Sequence, residues 1–134
     1  MFRLNKKKIF VVYQYYLYTP LAKRAKSFLF PLSNSKKKDE IFAWRKEFLS
    51  QEEKLRKDIE NKLKSSWIFP RILPLERAIL MYTAYEVSTQ PHIAKVILDQ
   101  AINFSQTYLE KDKHKYINKI LDLFTKTIIS IPAS

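Results

Sequence analysis

The chain has 134 residues, enough for one domain that buries roughly two thirds of its unfolded surface but too few for two separate cores. Lysine and arginine number 25 against 13 acidic residues, a formal net charge of +12, so the expected partner is a polyanion such as RNA, DNA or an anionic membrane. There is no cysteine and there are two histidines, His92 and His114, which excludes disulfides and thiolate metal sites. We therefore expect a single domain over residues 1–134 with no metal and no cofactor.

The positive charge is concentrated at the beginning of the chain. Residues 1–38 contain ten lysines or arginines and no acidic residue. A lysine-rich composition can reflect AT-rich coding. That explanation accounts for the total number of lysines better than for their concentration in the first 38 residues. The uncharged run at 9–22 contains Gln14 and four tyrosines, unlike the smooth apolar core of a secretory signal. Because no run of about 18 apolar residues exists, we expect a soluble cytoplasmic protein.

Apolar residues recur every three or four positions in the first half, which predicts helices rather than strands. The first predicted helix covers residues 5–18, and a short one is expected around 21–30. Ser35 is suited to cap the next helix. Ser50, with Glu53 three residues later, has the spacing of a capping box and predicts that another helix starts there.

The second half predicts three further helices. Residues 67–74 are expected to be a break, and Pro74 suits the first position of a helix. That helix has an apolar stripe formed by Leu75, Ala78, Ile79, Tyr82 and Tyr85. A loop containing Pro91 separates it from the next helix, and the last helix is expected from about Asp112. The predicted fold class is an all-α, single-domain bundle of six to seven helices. Because there is no glycine, its helices must end on Asn, on Ser or without a left-handed residue.

Catalytic motifs are absent from the sequence. There is no P-loop, no dinucleotide-binding fingerprint and no HExxH pattern, and few nucleophiles or bases are available to form a site. We therefore expect a protein that is not an enzyme.

Two clusters combine basic and aromatic side chains. Basic groups neutralise phosphates and aromatic rings stack on unpaired bases, so both clusters are candidates for RNA binding, although lysine clusters are also common as solvated surface. The first consists of Arg3, Lys6, Lys7 and Lys8, followed by Tyr13, Tyr15 and Tyr16. The second consists of Lys111, Lys113, His114, Lys115, Tyr116 and Lys119.

Several motifs resemble the NusB family. The strongest are Leu-Glu-Arg-Ala-Ile-Leu at 75–80, Ala-Tyr-Glu at 84–86 and the segment from Asp112 to Asp122. Val-Tyr-Gln at 12–14 is similar to the Leu-Tyr-Gln-like motif near the family's N-terminus. Asp-Gln-Ala at 99–101 stands where the family often has Asn-Glu-Ala. The resemblance lapses over residues 19–66.

This resemblance implies both a fold and a function. NusB-like proteins are all-helical transcription antitermination factors. They bind boxA, a single-stranded RNA element of ribosomal RNA leaders, together with the ribosomal protein NusE, and join the elongating RNA polymerase. The resemblance implies that Tyr13 and Glu76 face the protein partner. The RNA contacts that it implies are Arg3, Lys6, Lys7, Lys8, Lys113, Lys115 and Tyr116.

Other interpretations stay open at the level of sequence. Glu76 would also be favourable in a first helical turn through the helix dipole alone, and Tyr13 and Tyr116 could lie at the edge of the core. Lys119 replaces a glycine that the family usually has. The chain could instead be an RNA-binding accessory domain of an RNA methyltransferase system. A third alternative is a basic helical module on an anionic membrane, inserted through residues 28–30.

Overall fold

The computed structural model describes residues 2–18, 35–62 and 72–129. Within these ranges the chain forms five α-helices and one short 3-10 helix and has no strand, as the periodicity predicts. The 3-10 helix covers Pro91–Ile93, between α3 and α4. The α-helices are α1 (Lys6–Tyr18), α2 (Ser35–Glu60), α3 (Pro74–Thr89), α4 (Ala94–Tyr108) and α5 (Lys111–Ile129).

Helix α3 is the centre of the fold. It packs against α1, α2, α4 and α5, and every side chain from Ala78 to Val87 is buried. A helix that is buried all round must be largely apolar on every face. The sequence identified one stripe of this helix, whereas the neighbouring helices cover its whole circumference.

The predicted helix start at Ser50 is wrong. Residues 35–60 form one continuous helix of 26 residues, and the Ser50 hydroxyl donates a hydrogen bond to the carbonyl of Glu47, 2.6 Å away. A serine within a helix often bonds the carbonyl of the preceding turn in this way. Buried Phe48 and Leu55 lie on either side of Ser50 and pack into the same core. Continuous burial across this position keeps the helix intact.

The starts of α3 and α5 agree with the sequence. Pro74 is the first residue of α3, and α5 begins at Lys111, one residue before the predicted position. Gln90 and Leu109, which end α3 and α4, have φ values of −135° and −114°, so neither end uses a left-handed residue. The predicted helix around residues 21–30, the membrane-inserting residues 28–30 and most of the predicted break at 67–74 lie outside the described residues.

An aromatic cluster joins α2 to α3. Trp44 stacks on Phe48 with ring centroids 5.4 Å apart, and both rings meet Tyr85 edge-on at 5.6 Å. Tyr82 lies 6.0 Å from Trp44. Pairs of this geometry are worth about 0.5 to 1.5 kcal/mol beyond the area that they bury. The cluster therefore fixes α2 on the face of α3 that also receives the N-terminal segment.

Candidate nucleic-acid interface

The N-terminal segment before α1 forms neither helix nor strand and is attached to the bundle. Phe2 and Leu4 are half-buried against the core, whereas Arg3 between them is exposed. The side chain of Gln100 bonds the backbone of Phe2 and Leu4. The backbone N–H of Asn5 donates to the Tyr82 hydroxyl at 3.0 Å. The first basic residue of the candidate site therefore lies on an ordered segment.

The lysines of the first cluster lie in the first turn of α1. Asn5 caps this helix, since its side-chain oxygen accepts the backbone N–H of Lys8 at 3.0 Å. Lys6 and Lys7 are exposed. Within the described part of the chain, neither pairs with an acidic side chain. Lysines here oppose the helix dipole, which costs a few tenths of a kcal/mol each, so stability alone does not explain them.

Lys8 differs from its neighbours because it is half-buried. Its ammonium group lies 5.1 Å from the centre of the Trp44 ring, a cation–π geometry. It is also close enough to Glu86 to stabilise that carboxylate, although burial has the larger effect and raises the pKa of Glu86 above its ordinary value. Lys8 was predicted to contact RNA, and that role stays a prediction; the structure gives its charge two partners inside the protein.

The second cluster lies at the start of α5. Lys115 is exposed, and Lys113 is half-buried with its ammonium group 6.0 Å from the centre of the Tyr116 ring. Tyr116 is itself half-buried against the core. The first two turns of α5 therefore combine two cations with one aromatic ring, the combination that suits phosphates and an unpaired base.

Tyr116 and Glu76 are bonded to each other. The Tyr116 hydroxyl donates a short hydrogen bond to the Glu76 carboxylate, and Glu76 is only 2% exposed. Burial, followed by the bond to Glu76, raises the pKa of Tyr116 above its ordinary value. The sequence assigned these residues to separate surfaces, one for RNA and one for a protein partner. Both assignments stay predictions, and a partner that binds the Glu76 carboxylate must reach a group that is already buried and bonded to Tyr116.

Tyr13 lies at an apolar surface that adjoins the first basic cluster at Lys6. It borders a cavity of about 360 Å³ formed by α1, the first turn of α3 and the end of α4. Phe10, which is 46% exposed, stacks on Tyr13 with ring centroids 6.0 Å apart. The other residues around the cavity are Lys6, Ile9, Leu75, Phe104 and Tyr108. An exposed apolar surface with aromatic groups is a common feature of protein interaction sites.

The fold brings Lys6 of the first basic cluster to the end of α4, just before the second cluster. The Lys6 ammonium group lies 6.0 Å from the centre of the Tyr108 ring, at the end of α4. Only two residues lie between Tyr108 and Lys111, the first residue of α5, so their Cα atoms are at most roughly 11 Å apart. The first cluster therefore reaches the short loop that leads into the second.

Sequence reasoning missed the hydrogen-bonded group that joins α1 to α2. The Tyr16 hydroxyl donates to Glu52 at 2.8 Å, and Arg56 also pairs with Glu52 at 3.1 Å. Arg77 of α3 lies over the Tyr16 ring at 5.1 Å. Burial, followed by the charge of Glu52, raises the pKa of Tyr16. The only sequence signal for this group is the spacing of Glu52 and Arg56 by one helical turn.

The described ranges offer no metal site, because no three or more His, Asp or Glu side chains come together there. None of the helices in these ranges is long and apolar enough to cross a membrane.

Comparison with known proteins places this helical bundle in a family. The NusB family model matches residues 11–126, which run from within α1 to within α5, so the chain belongs to the NusB family. Proteins named transcription antitermination protein NusB from Helicobacter pylori strain Shi470 and Helicobacter acinonychis are each 35% identical over 74 residues, 55% of this chain and 53% of theirs. The protein of the same name from Actinobacillus succinogenes is 38% identical over 52 residues, 38% of this chain and 37% of its own.

The chain thus covers about half the length of the Helicobacter relatives. No solved structure matches it significantly.

Proposed function

We propose that this protein is a non-enzymatic RNA-binding factor of transcription antitermination. It binds single-stranded, boxA-type RNA of ribosomal RNA leaders together with the ribosomal protein NusE, and it joins the elongating RNA polymerase. Membership of the NusB family supports this proposal. So does the concentration of positive charge in the two clusters that the family resemblance selects.

The observation that carries the proposal is the contact between Lys6 and Tyr108. It brings the first cluster to the end of α4, beside the loop that leads into the second cluster, and we assign the path of one RNA strand to the surface from the start of α1 to the start of α5. A groove that combines cations with aromatic rings holds single strands by phosphate neutralisation and base stacking. If the lysines were only solvated surface groups, the contact between Lys6 and Tyr108 would not be required.

The cations divide into two groups by their surroundings. Arg3, Lys6, Lys7 and Lys115 are exposed and are assigned to phosphates. Lys113 lies beside the Tyr116 ring and supports a base stacked there. The contribution of Lys8 is expected to be smaller, because Trp44 and Glu86 already hold its charge.

The surface for NusE is assigned to the apolar cavity beside Tyr13. Phe10 and Tyr13 supply exposed or half-exposed aromatic area, and Leu75 continues the surface to the start of α3. Aromatic anchors in a pocket commonly dominate the energy of protein interfaces. Glu76, next to Leu75, contributes indirectly, because its carboxylate is buried under Tyr116.

A salt titration of RNA binding tests the first part of the proposal. The affinity of a fluorescent single-stranded boxA-type RNA is measured by anisotropy for the wild type and for a variant with Arg3, Lys6 and Lys7 changed to Ala. The log–log salt slope should become shallower by about 2, from roughly 0.7 per lost phosphate contact on a single strand. A control with the exposed residues Lys46, Lys54 and Lys95 changed to Ala loses the same charge elsewhere.

Equal slopes for both triple variants would show that net charge alone drives binding and would remove the first cluster from the site. Binding of the wild type to anionic liposomes but not to RNA would favour the membrane alternative instead.

Calorimetric titration with purified NusE tests the partner surface. Phe10→Ala and Tyr13→Ala should each weaken binding, by about 1 kcal/mol or more if they are anchors. Leu123→Ala, which truncates another exposed apolar side chain on α5, should leave the affinity unchanged. Unchanged affinity in both aromatic variants would place the partner elsewhere.

A further inference from the structure

We propose that Gln100 is a positioning residue that holds the N-terminal segment in place and thereby presents Arg3 to RNA. This inference rests on the proposed function and deepens it, since it identifies a residue of α4, outside both basic clusters, on which the first cluster depends.

Both ends of the Gln100 amide are bonded to the segment. The side-chain Nε2 donates to the carbonyl of Phe2 at 2.7 Å, and the backbone N–H of Leu4 donates to the side-chain Oε1 at 2.6 Å. A carbonyl only accepts and an N–H only donates, so these bonds require both a donor and an acceptor from one side chain. An amide supplies both, whereas an ionised carboxylate only accepts and an ammonium group only donates. Gln100 therefore acts like a neighbouring β-strand for residues 2–4.

The two bonds lie on either side of Arg3 and determine which way it points. Phe2 and Leu4 pack on the core, whereas Arg3 between them lies on the solvent side and is exposed. One residue further on, the backbone of Asn5 is bonded to Tyr82.

Attachment at these points orders a segment that lies outside the helices. A segment that is already ordered loses less conformational freedom when a ligand binds. Arg3 is thus held beside Lys6 and Lys7 before RNA arrives, and all three contact one strand without a separate ordering step.

Gln100→Met tests the inference, because methionine has a similar length and helix propensity and no charge but makes neither bond. Gln106→Met is the matched control: Gln106 is an exposed residue of the same helix. Two quantities are measured in each protein. The first is the hydrogen exchange of the Leu4 amide, and the second is the affinity for a boxA-type single-stranded RNA, with and without Arg3→Ala.

We expect the Leu4 amide to exchange roughly tenfold faster or more in Gln100→Met than in the wild type and the control, because exchange reports local opening. Arg3→Ala should weaken RNA binding in the wild type and in Gln106→Met. In Gln100→Met its effect should be at least about threefold smaller, since residues that act through one another are not additive. Far-ultraviolet circular dichroism should show the same helix content in all variants.

An equal effect of Arg3→Ala in the Gln100→Met and wild-type backgrounds would overturn the positioning role while leaving RNA binding intact. Unchanged exchange at Leu4 would overturn the proposed attachment. A wild-type protein that binds no RNA would overturn the proposed function, and this inference with it, a result distinct from the other two.

Discussion

Replacing Tyr116 with Phe separates its proposed stacking on an RNA base from its hydrogen bond to Glu76. The substitution keeps the aromatic ring for stacking on a base but removes the hydroxyl that donates to Glu76. Glu76 is 2% exposed, so its carboxylate then lacks this bond in a place that water reaches poorly. We therefore expect a loss of stability with little loss of RNA affinity.

The size of the loss follows from the environment of Glu76. Hydrogen bonds to charged groups contribute about 1.5 to 3 kcal/mol, and leaving a buried charged group unsatisfied is more costly than removing both partners. Two features favour the lower half of this range. Glu76 lies in the first turn of α3, where the helix dipole stabilises a carboxylate, and Tyr116 is only half-buried. At roughly 4 °C per kcal/mol for a domain of this size, the melting temperature should fall by roughly 6 to 9 °C.

Thermal unfolding followed by circular dichroism at neutral pH measures this change, and anisotropy with single-stranded RNA at a temperature where both proteins are folded measures binding. Tyr108→Phe serves as the control, because Tyr108 is 51% exposed and should lose little stability. A melting temperature within about 1 °C of the wild type, well below the shift expected for a lost buried bond, would refute the reasoning. A large loss of RNA affinity in Tyr116→Phe would show that the hydroxyl itself contacts RNA.

Three further predictions concern pH and the course of α2. Burial raises the pKa of Glu86 above its ordinary value of 4.5, so the folded state holds this proton to higher pH than the unfolded state. The stabilisation that this group provides is complete below pH 4.5 and decreases as the pH rises toward the raised pKa. In thermal melts over this pH range, the melting temperature of Glu86→Gln should depend less on pH than that of the wild type. An equal pH dependence in the two proteins would contradict the assignment. Burial, the largest cause, also raises the pKa values of Tyr16, Tyr82 and Tyr116 above 10.0. These three protonated phenols therefore stabilise the fold below that pH, and the stabilisation is lost as the pH rises above it. In an ultraviolet titration they should ionise only as the protein unfolds, rather than together with the exposed tyrosines. Finally, Ser50→Ala should leave the free energy of unfolding unchanged or raise it by up to about 0.5 kcal/mol in chemical denaturation, whereas a loss near 1 kcal/mol would indicate a helix cap.

The sequence alone determined the class of fold and most helix boundaries. Apolar spacing identified α1, α3, α4 and α5, and Pro74 marked the start of α3, because periodicity and proline geometry act within a few residues of the chain. The basic residues near the N-terminus and at the start of α5 were equally visible, since charge is a property of the residue itself. The family resemblance, carried by short motifs, agrees with the match over residues 11–126.

Predictions from short sequence patterns were wrong where residues distant in sequence determine the local structure. The capping pattern at Ser50 was overridden because Phe48 and Leu55 pack continuously into one core, and burial outweighs a cap of about 1 kcal/mol.

The decisive contacts of the candidate site join residues that are far apart in sequence. Tyr116 and Glu76 are 40 residues apart, and Gln100 is 96 residues from Leu4. No spacing rule connects such pairs. They meet only because α3 is surrounded by the other helices, so the charges of the candidate site follow from the sequence, whereas their positions and their partners were decided by the packing of the bundle.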